Sequence, residues 1–370
     1  MEKDIMKSKR IFVAATSQND GKTAMSVGLI CAFAQENMNV GFIKPVGQRY
    51  LIKNHQKIDE DSLLISKVCN LRSNLKDMSP VAVERGFTKK YILNGKKNNL
   101  EQNVKKAFNN ISRKRDLVVI EGTGHAGVGS VFDLSNAKVA NLLKSKVVLV
   151  AGGGVGRPVD EIMLNKALFD KQKVEIAGII INKVLPEKYK KVNSLVRIAL
   201  KKEGLNVLGV IPYYKVLSKP TVQQILEEEK GINLLCGAEA IENSVDKIIV
   251  GAMEPHEALN YITSNSLVIT PGDREDIILT CISTHLASSK QGKSISGIVL
   301  TGGIKPHRSI MNLIKKSGIP VLQAKEDTYT ITSKVHDLII KVKPGDADKI
   351  ELIKKMVKEY VDLKALYAAM

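Results

Sequence analysis

Gly21, Lys22 and Thr23 stand in succession at the end of a polar segment, Ala15-Thr16-Ser17-Gln18-Asn19-Asp20, that separates an aliphatic run from a helical one. A loop in that position can turn consecutive backbone N–H groups toward a single anion, and the helix start adds partial positive charge. The chemistry this suits is phosphate binding. Backbone groups of Asn19, Asp20, Gly21, Lys22, Thr23 and Ala24 would cradle the anion, Lys22 would reach β- and γ-phosphates, and the Thr23 hydroxyl would complete a Mg²⁺ shell. The general pattern also asks for a glycine where Thr16 stands, so the loop is degenerate and its reading depends on partners elsewhere.

Four other positions could serve as those partners. Glu121 closes the apolar run Leu117-Val118-Val119-Ile120 and is followed by Gly122-Thr123-Gly124. A carboxylate there can hold Mg²⁺, and the glycines let backbone approach phosphates. Asp59-Glu60-Asp61 could supply a second metal carboxylate, although acidic residues at a helix start also serve simply as N-terminal charge. Lys44 ends an aliphatic run just before Pro45, which sets its ammonium beside the same edge, or else leaves it as an exposed lysine. Asn182 ends Ile179-Ile180-Ile181 and has an amide able to offer both donor and acceptor to a purine.

The elements that must position these residues follow from hydrophobic periodicity. Short β-branched and aliphatic runs alternate with helical stretches, the pattern of a parallel sheet covered on both faces. Strands are expected at Ile11 to Ala15, Val40 to Lys44, Leu117 to Glu121, Lys146 to Ala151, Ile176 to Asn182 and Val207 to Pro212. An amphipathic helix is expected from Lys22. Several of the runs end in polar or glycine-rich segments, and the C-terminal edge of a parallel sheet is where such folds bind ligands. A boundary is placed after the acidic stretch Glu227-Glu228-Glu229, giving a first domain over residues 1–230. A smaller α/β domain over 231–345 then has strands near Leu267 to Thr270, Gly297 to Thr301, Pro320 to Leu322 and Leu338 to Val342. A C-terminal amphipathic helix occupies 346–370.

Composition narrows the function classes. No apolar run approaches the roughly 18 to 20 residues needed to cross a bilayer, and the basic stretch Met1 to Arg10 reads as a solvated tail without a signal-peptide core. A cytoplasmic location without membrane insertion is therefore expected. Cys31, Cys69, Cys236 and Cys281 lie far apart without zinc spacing and read as buried thiols of a reducing compartment. The net charge of +18 is concentrated before position 231, where 39 basic side chains face 22 acidic ones. Nucleic-acid readers also carry a reading motif or aromatic stacking platform, and here aromatics are 4% with no tryptophan, so nucleic acid ranks last among the partners.

The loop to Thr23, Lys44-Pro45-Val46, Glu121-Gly122-Thr123-Gly124, the Gly152 to Gly156 segment, Asn182 and Gly209-Val210-Ile211-Pro212-Tyr213 together resemble dethiobiotin synthetase and the related N-terminal domain of long bacterial phosphotransacetylases. The likeness covers about the first 230 residues. It implies an α/β P-loop NTPase domain binding ATP and Mg²⁺, with Lys22 and Thr23 on phosphates and metal, Asp61 and Glu121 on metal, Lys44 assisting catalysis alongside Lys22, and Asn182 on adenine. Ala15 and Asn19 depart from the synthetase loop, and Gln48 replaces a serine expected after the strand-end lysine, so the nucleotide half of the site is better kept than the substrate half. Asp273-Arg274 and Thr301-Gly302-Gly303 resemble the two halves of the DRTGG domain that follows in those phosphotransacetylases. Asp273 could cap the next helix, Arg274 could hold a carboxylate or an anion, and the glycines would permit a tight turn.

In that family a separate catalytic transferase domain comes next, whereas this sequence ends after one helix. Two functions lead, with nucleic-acid binding by the basic face a remote third. One is a regulatory or sensor protein that binds nucleotide, with or without slow ATP hydrolysis, and signals to a partner such as a separate catalytic phosphotransacetylase chain. The other is an ATP-dependent ligase of the synthetase or cobyrinate amidase type, activating a carboxylate or carbamate. The resemblance further implies a homo-oligomer, most simply a dimer.

Overall fold

A computed structural model of the chain describes residues 8–94, 99–287, 293–338 and 340–370. It resolves into two compact units, one formed by Met1–Tyr214 with Val342–Met370 and the other by Lys215–Lys341. Most of the N-terminal tail lies outside the described residues, but Lys9 and Arg10 already belong to the first strand.

The first unit is built on six parallel strands, β1 (Lys9–Ala15), β2 (Val40–Ile43), β3 (Leu117–Glu121), β4 (Lys146–Ala151), β5 (Ile176–Val184) and β6 (Val207–Pro212). Their order across the sheet is β6-β5-β4-β1-β3-β2. Near-continuous burial of β1, β3 and β4 is what a parallel sheet covered on both faces requires. From the central β1 the chain leaves toward β2 on one side and later reaches β4 on the other. The loop after β1 therefore opens at the crevice where α/β sheets bind ligands.

The Lys22–Gln35 helix departs from expectation. It is buried on almost every side, including Met25, Val27, Gly28, Leu29, Ile30, Ala32 and Phe33, instead of presenting a polar face to water. The reason is the C-terminal helix Ala347–Tyr360, which lies against it. Gly28 is the point of closest approach: a Cβ there would stand 2.3 Å from Val357 Cγ2 and 3.3 Å from the Ile353 carbonyl oxygen. The 346–370 segment, expected as a unit of its own, thus completes the core of the first unit, with Ile353, Met356, Val357 and Leu366 all buried.

The short helix Val222–Glu228, expected to close the first domain, belongs instead to the second unit. Its Val222 and Ile225 pack with Ile232, Val245, Leu267 and Val299, and a capping box of Thr221 and Gln224 starts it. The second sheet runs β7 (Ile232–Cys236), β8 (Lys247–Val250), β9 (Ser266–Pro271), β10 (Ile295–Thr301) and β11 (Val321–Ala324), in the order β7-β11-β10-β9-β8. Only β7 is antiparallel to its neighbour. Of the strand expected at Leu338 to Val342, residue 339 lies outside the described residues and the others form no strand. Gly302 and Gly303 take positive φ and make the tight turn after β10, while the Arg274 guanidinium holds the Asp276 carboxylate with two bonds of 2.9 and 2.8 Å.

Candidate phosphate and metal site

The loop between β1 and the Lys22–Gln35 helix is held from several sides. The Asp20 carboxylate accepts bonds from the Ser17 amide at 2.7 Å and the Thr16 hydroxyl at 2.9 Å, so the threonine in the place of a glycine is used as a loop brace. Asn182, two residues before the end of β5, donates from Nδ2 to the Asp20 carbonyl at 2.8 Å and accepts at Oδ1 from the Lys183 amide. Lys183 donates to the Asn19 carbonyl at 2.6 Å. Asn19 and Gly21 adopt φ of 67° and 100°, and a Cβ on Gly21 would meet Asn182 Nδ2 at 2.3 Å. Glycine is needed there for both reasons. The regular helix begins with the Met25 amide bonded to the Gly21 carbonyl, so the first-turn amides of Lys22, Thr23 and Ala24 have no partner within the helix.

Lys22 reaches back over the loop and donates to the Ser17 carbonyl at 3.2 Å. Burial lowers its pKa to about 8, against the pull of Glu121 and Asp20. A lysine kept so poorly solvated is poised to gain from an arriving polyanion. Thr23, one residue on, donates its hydroxyl to Glu121 Oε1 at 3.0 Å.

Glu121 is buried at the end of β3, and its second oxygen, Oε2, has no hydrogen-bond partner among the described residues. An orphaned buried carboxylate oxygen carries a desolvation penalty that a cation would relieve. Lys44 supplies part of that relief. Its ammonium lies 3.2 Å from Glu121 Oε1 and 3.4 Å from Asp59 Oδ1 and is bonded to Asp61. Burial works against the charge on Lys44, but Asp61, Glu121 and Asp59 outweigh it and hold its pKa well above the ordinary value.

Local structure explains how three carboxylates meet one lysine. Tyr50–Lys53 and Gln56–Asp59 form an antiparallel ribbon, turned by Asn54 and His55, both at positive φ, as a two-residue type I′ hairpin requires. The ribbon delivers Asp59 as the N-cap of the Glu60–Val68 helix, where it accepts from the Asp61 amide. Asp61 then sits in the first turn facing Lys44. Sequence reasoning offers Asp59-Glu60-Asp61 as the source of one metal carboxylate, and the resemblance selects Asp61, but Asp59 takes part as well. The signal was present in Asp59-Glu60-Asp61, but only the hairpin shows that two of its three carboxylates turn inward.

Burial raises the Asp59 carboxyl to about 6, helped by Asp61 and Glu121 and opposed by Lys44 and the Asp61 amide. With the folded pKa above the unfolded one, Asp59 favours the fold at low pH, and that contribution is lost as pH rises from about 4 through 6. Asp59→Asn keeps the cap and removes this dependence. The variant is expected to be more stable than wild type at pH 8, by up to roughly 3 kcal/mol, and indistinguishable at pH 4. Urea denaturation at the two pH values checks this; a loss at pH 8 would mean that the charge on Asp59 is needed.

Among the described residues no three His, Cys, Asp or Glu side chains are disposed around a common metal position, and Lys44 pairs with the carboxylates of Asp59, Asp61 and Glu121. What remains for a divalent ion is the Thr23 hydroxyl with Glu121. That set suits Mg²⁺, which uses one or two protein ligands and completes its shell from phosphate and water. Asp61, the other carboxylate expected on the metal, is bonded to Lys44.

A parallel sheet with a glycine-ended loop after its central strand, a lysine and threonine opening the next helix, and an acidic residue closing the neighbouring strand define a P-loop NTPase-like α/β protein. More particularly, the chain belongs to the AAA domain family (AAA_26), which matches residues 9–221, and a DRTGG domain matches 225–338. Curated relatives include the phosphate acetyltransferase of Nitratidesulfovibrio vulgaris, 27% identical over 368 residues, and that of Pseudomonas putida, 25% identical over 376. These alignments cover 97% and 96% of this chain but 51% of each relative, so the chain spans about half the length of the relatives it matches. Among solved structures, the septum site-determining protein MinD of Pyrococcus horikoshii complexed with Mg-ADP is 14% identical, covering 57% of this chain and 83% of its own, with a TM-score of 0.35. No helix among the described residues is long and apolar enough to cross a membrane.

Proposed function

We propose that the first unit binds ATP with Mg²⁺ and that the chain acts as a cytoplasmic nucleotide sensor that regulates a partner, a catalytic phosphotransacetylase chain, working as a homodimer. The observation that carries the nucleotide reading is the buried, unpartnered Oε2 of Glu121, beside a Thr23 hydroxyl and a Lys22 ammonium on one loop. Bound Mg²⁺ would supply charge neutralisation to phosphate oxygens. Thr23 and Glu121 hold it, Lys22 meets the phosphates, and the free amides of the first helical turn complete the cradle. Asn182 retains one N–H and one lone pair beyond its two bonds, enough for an adenine edge.

The ligase reading asks Lys44 to act on a substrate. Its ammonium is enclosed by three carboxylates instead, which favours binding over phosphoryl transfer to a carboxylate or carbamate. The two curated relatives described above, both named phosphate acetyltransferase, motivate the choice of partner.

The test is thermal stabilisation of the purified chain by ATP, ADP and GTP, each with and without Mg²⁺. A ligand held only by the folded state at a hundred times its Kd adds about 2.7 kcal/mol, and ATP with Mg²⁺ is expected to give the largest upward shift. If no nucleotide moves the transition, the nucleotide reading fails. Binding followed by phosphate release only when a small carboxylate is added would restore the ligase.

A further inference from the structure

Cys31 and Cys69, far apart in sequence, are brought together in the first unit with their sulfurs 3.4 Å apart. This corrects the expectation of four isolated buried thiols. All four are free, but only Cys281 is buried, while Cys31, Cys69 and Cys236 are half-buried. Cys31 lies on the Lys22–Gln35 helix and Cys69 caps the C-terminus of the Glu60–Val68 helix. The two helices touch. Their N-terminal ends carry Lys22 and Thr23 on one and Asp61 on the other.

We propose that Cys31 and Cys69 form a thiol–disulfide modification site that takes a low-molecular-weight disulfide as its oxidant and closes to an intramolecular bond joining these two helices. A disulfide needs the sulfurs at about 2 Å, so the pair has little over an ångström to travel. The two thiols are unequal, as an exchange site requires. The two thiols share one hydrogen bond, in which either sulfur can be the donor; that bond, with the Lys354 ammonium, lowers the Cys31 pKa against the effect of burial and Glu351, whereas the bond and burial together raise Cys69. Cys31 is therefore the nucleophile and Cys69 the resolving thiol. Both cysteines are half-buried, so neither is closed off from solvent. A surface pocket of about 500 Å³ is lined by Val68, the residue before Cys69, and by Glu351, whose charge acts on Cys31, together with Lys67, Pro344 and Ile350.

The exchange balances in two steps. The Cys31 thiolate attacks one sulfur of the small disulfide, the S–S bond breaks, and one small thiolate leaves, taking up the proton that Cys31 gave up. Cys69 then loses its proton and attacks the Cys31 sulfur of the mixed disulfide. The Cys31–Cys69 bond forms as the second small thiolate leaves with that proton. Two protein thiols are oxidised and one small disulfide is reduced to two thiols.

The experiment uses the full folded chain incubated with oxidised glutathione, quenched in acid, alkylated under denaturing conditions and mapped by peptide mass spectrometry. The expected result is a Cys31–Cys69 linked peptide, with Cys236 and Cys281 alkylated. In Cys69→Ser, checked for an unchanged melting temperature, a glutathione adduct should accumulate on Cys31. In native alkylation of the reduced wild type at pH 7, Cys31 should react at least about tenfold faster than buried Cys281. Alkylation of all four cysteines after oxidant treatment overturns the proposal, as does linkage through Cys236 or Cys281. The wild-type map decides even if the variant fails to fold, and none of these readouts depends on nucleotide.

Discussion

Lys44→Met is expected to destabilise the first unit by about 3 to 5 kcal/mol at pH 7.5, the range for removing one partner of a buried ionic group. The methionine nearly matches the lysine stem in volume, so packing is kept and the loss is electrostatic. Asp59, Asp61 and Glu121 would be left facing one another, side chains at most 7% exposed, without the ammonium that now lies among them. Protonation is the carboxylates' way out. The Asp59 carboxyl, already raised by burial, would rise further without the Lys44 charge that now opposes that rise, so the variant's stability would fall with increasing pH from about 4 more steeply than that of wild type. Mg²⁺ should recover part of the loss, because a divalent ion can enter the position Lys44 vacates. The measurement is urea denaturation at pH 5 and 7.5, with and without Mg²⁺. Equal midpoints for variant and wild type at pH 7.5 would show that the three carboxylates do not depend on Lys44.

How much of this arrangement could be read in advance depended on whether the signal was local. Strand ends were legible where a polar residue stops a buried aliphatic run, as at Glu121, whereas the strand expected to stop at Asn182 runs on to Val184. The loop from Ala15 to Thr23 was legible for the same reason. Contacts made across long sequence separations were not. Nothing in the neighbourhood of Gly28 announces that Val357 will pack on it, so the Lys22–Gln35 helix looked amphipathic until the C-terminal helix covered its second face. Cys31 and Cys69 carry no spacing signature, and only the docking of two helices brings them together. The Lys44 site was half legible. Each charged residue was visible at a strand or helix end, but that the lysine would be enclosed by the carboxylates depends on the Asn54-His55 turn, which aims Asp59 inward.

Lys22→Met should separate stability from binding in opposite directions. Burial lowers the pKa of Lys22 in the folded chain to about 8 from an ordinary value of 10.5. A group whose folded pKa is depressed in this way weighs against the fold while it is charged, and the penalty fades as pH rises from about 8 through 10.5. Removing the charge at pH 7 should therefore raise the stability of the nucleotide-free chain, by about 1 to 3 kcal/mol after some loss of packing. Binding should respond the other way. Losing a charge-assisted contact to phosphate in a desolvated loop costs about 2 to 5 kcal/mol, or roughly 30- to 5,000-fold in Kd. Bound phosphate would also hold Lys22 protonated, so wild-type binding takes up a proton and its affinity declines as pH rises past 8, while any residual affinity of the variant lacks that slope. Calorimetric titrations in buffers of differing ionisation enthalpy report the proton uptake, and chemical denaturation reports the stability. A variant that loses stability and affinity together would identify Lys22 as a structural residue. One that gains stability while losing affinity and the pH slope would show a loop kept at a disadvantage in the free chain for the sake of its ligand.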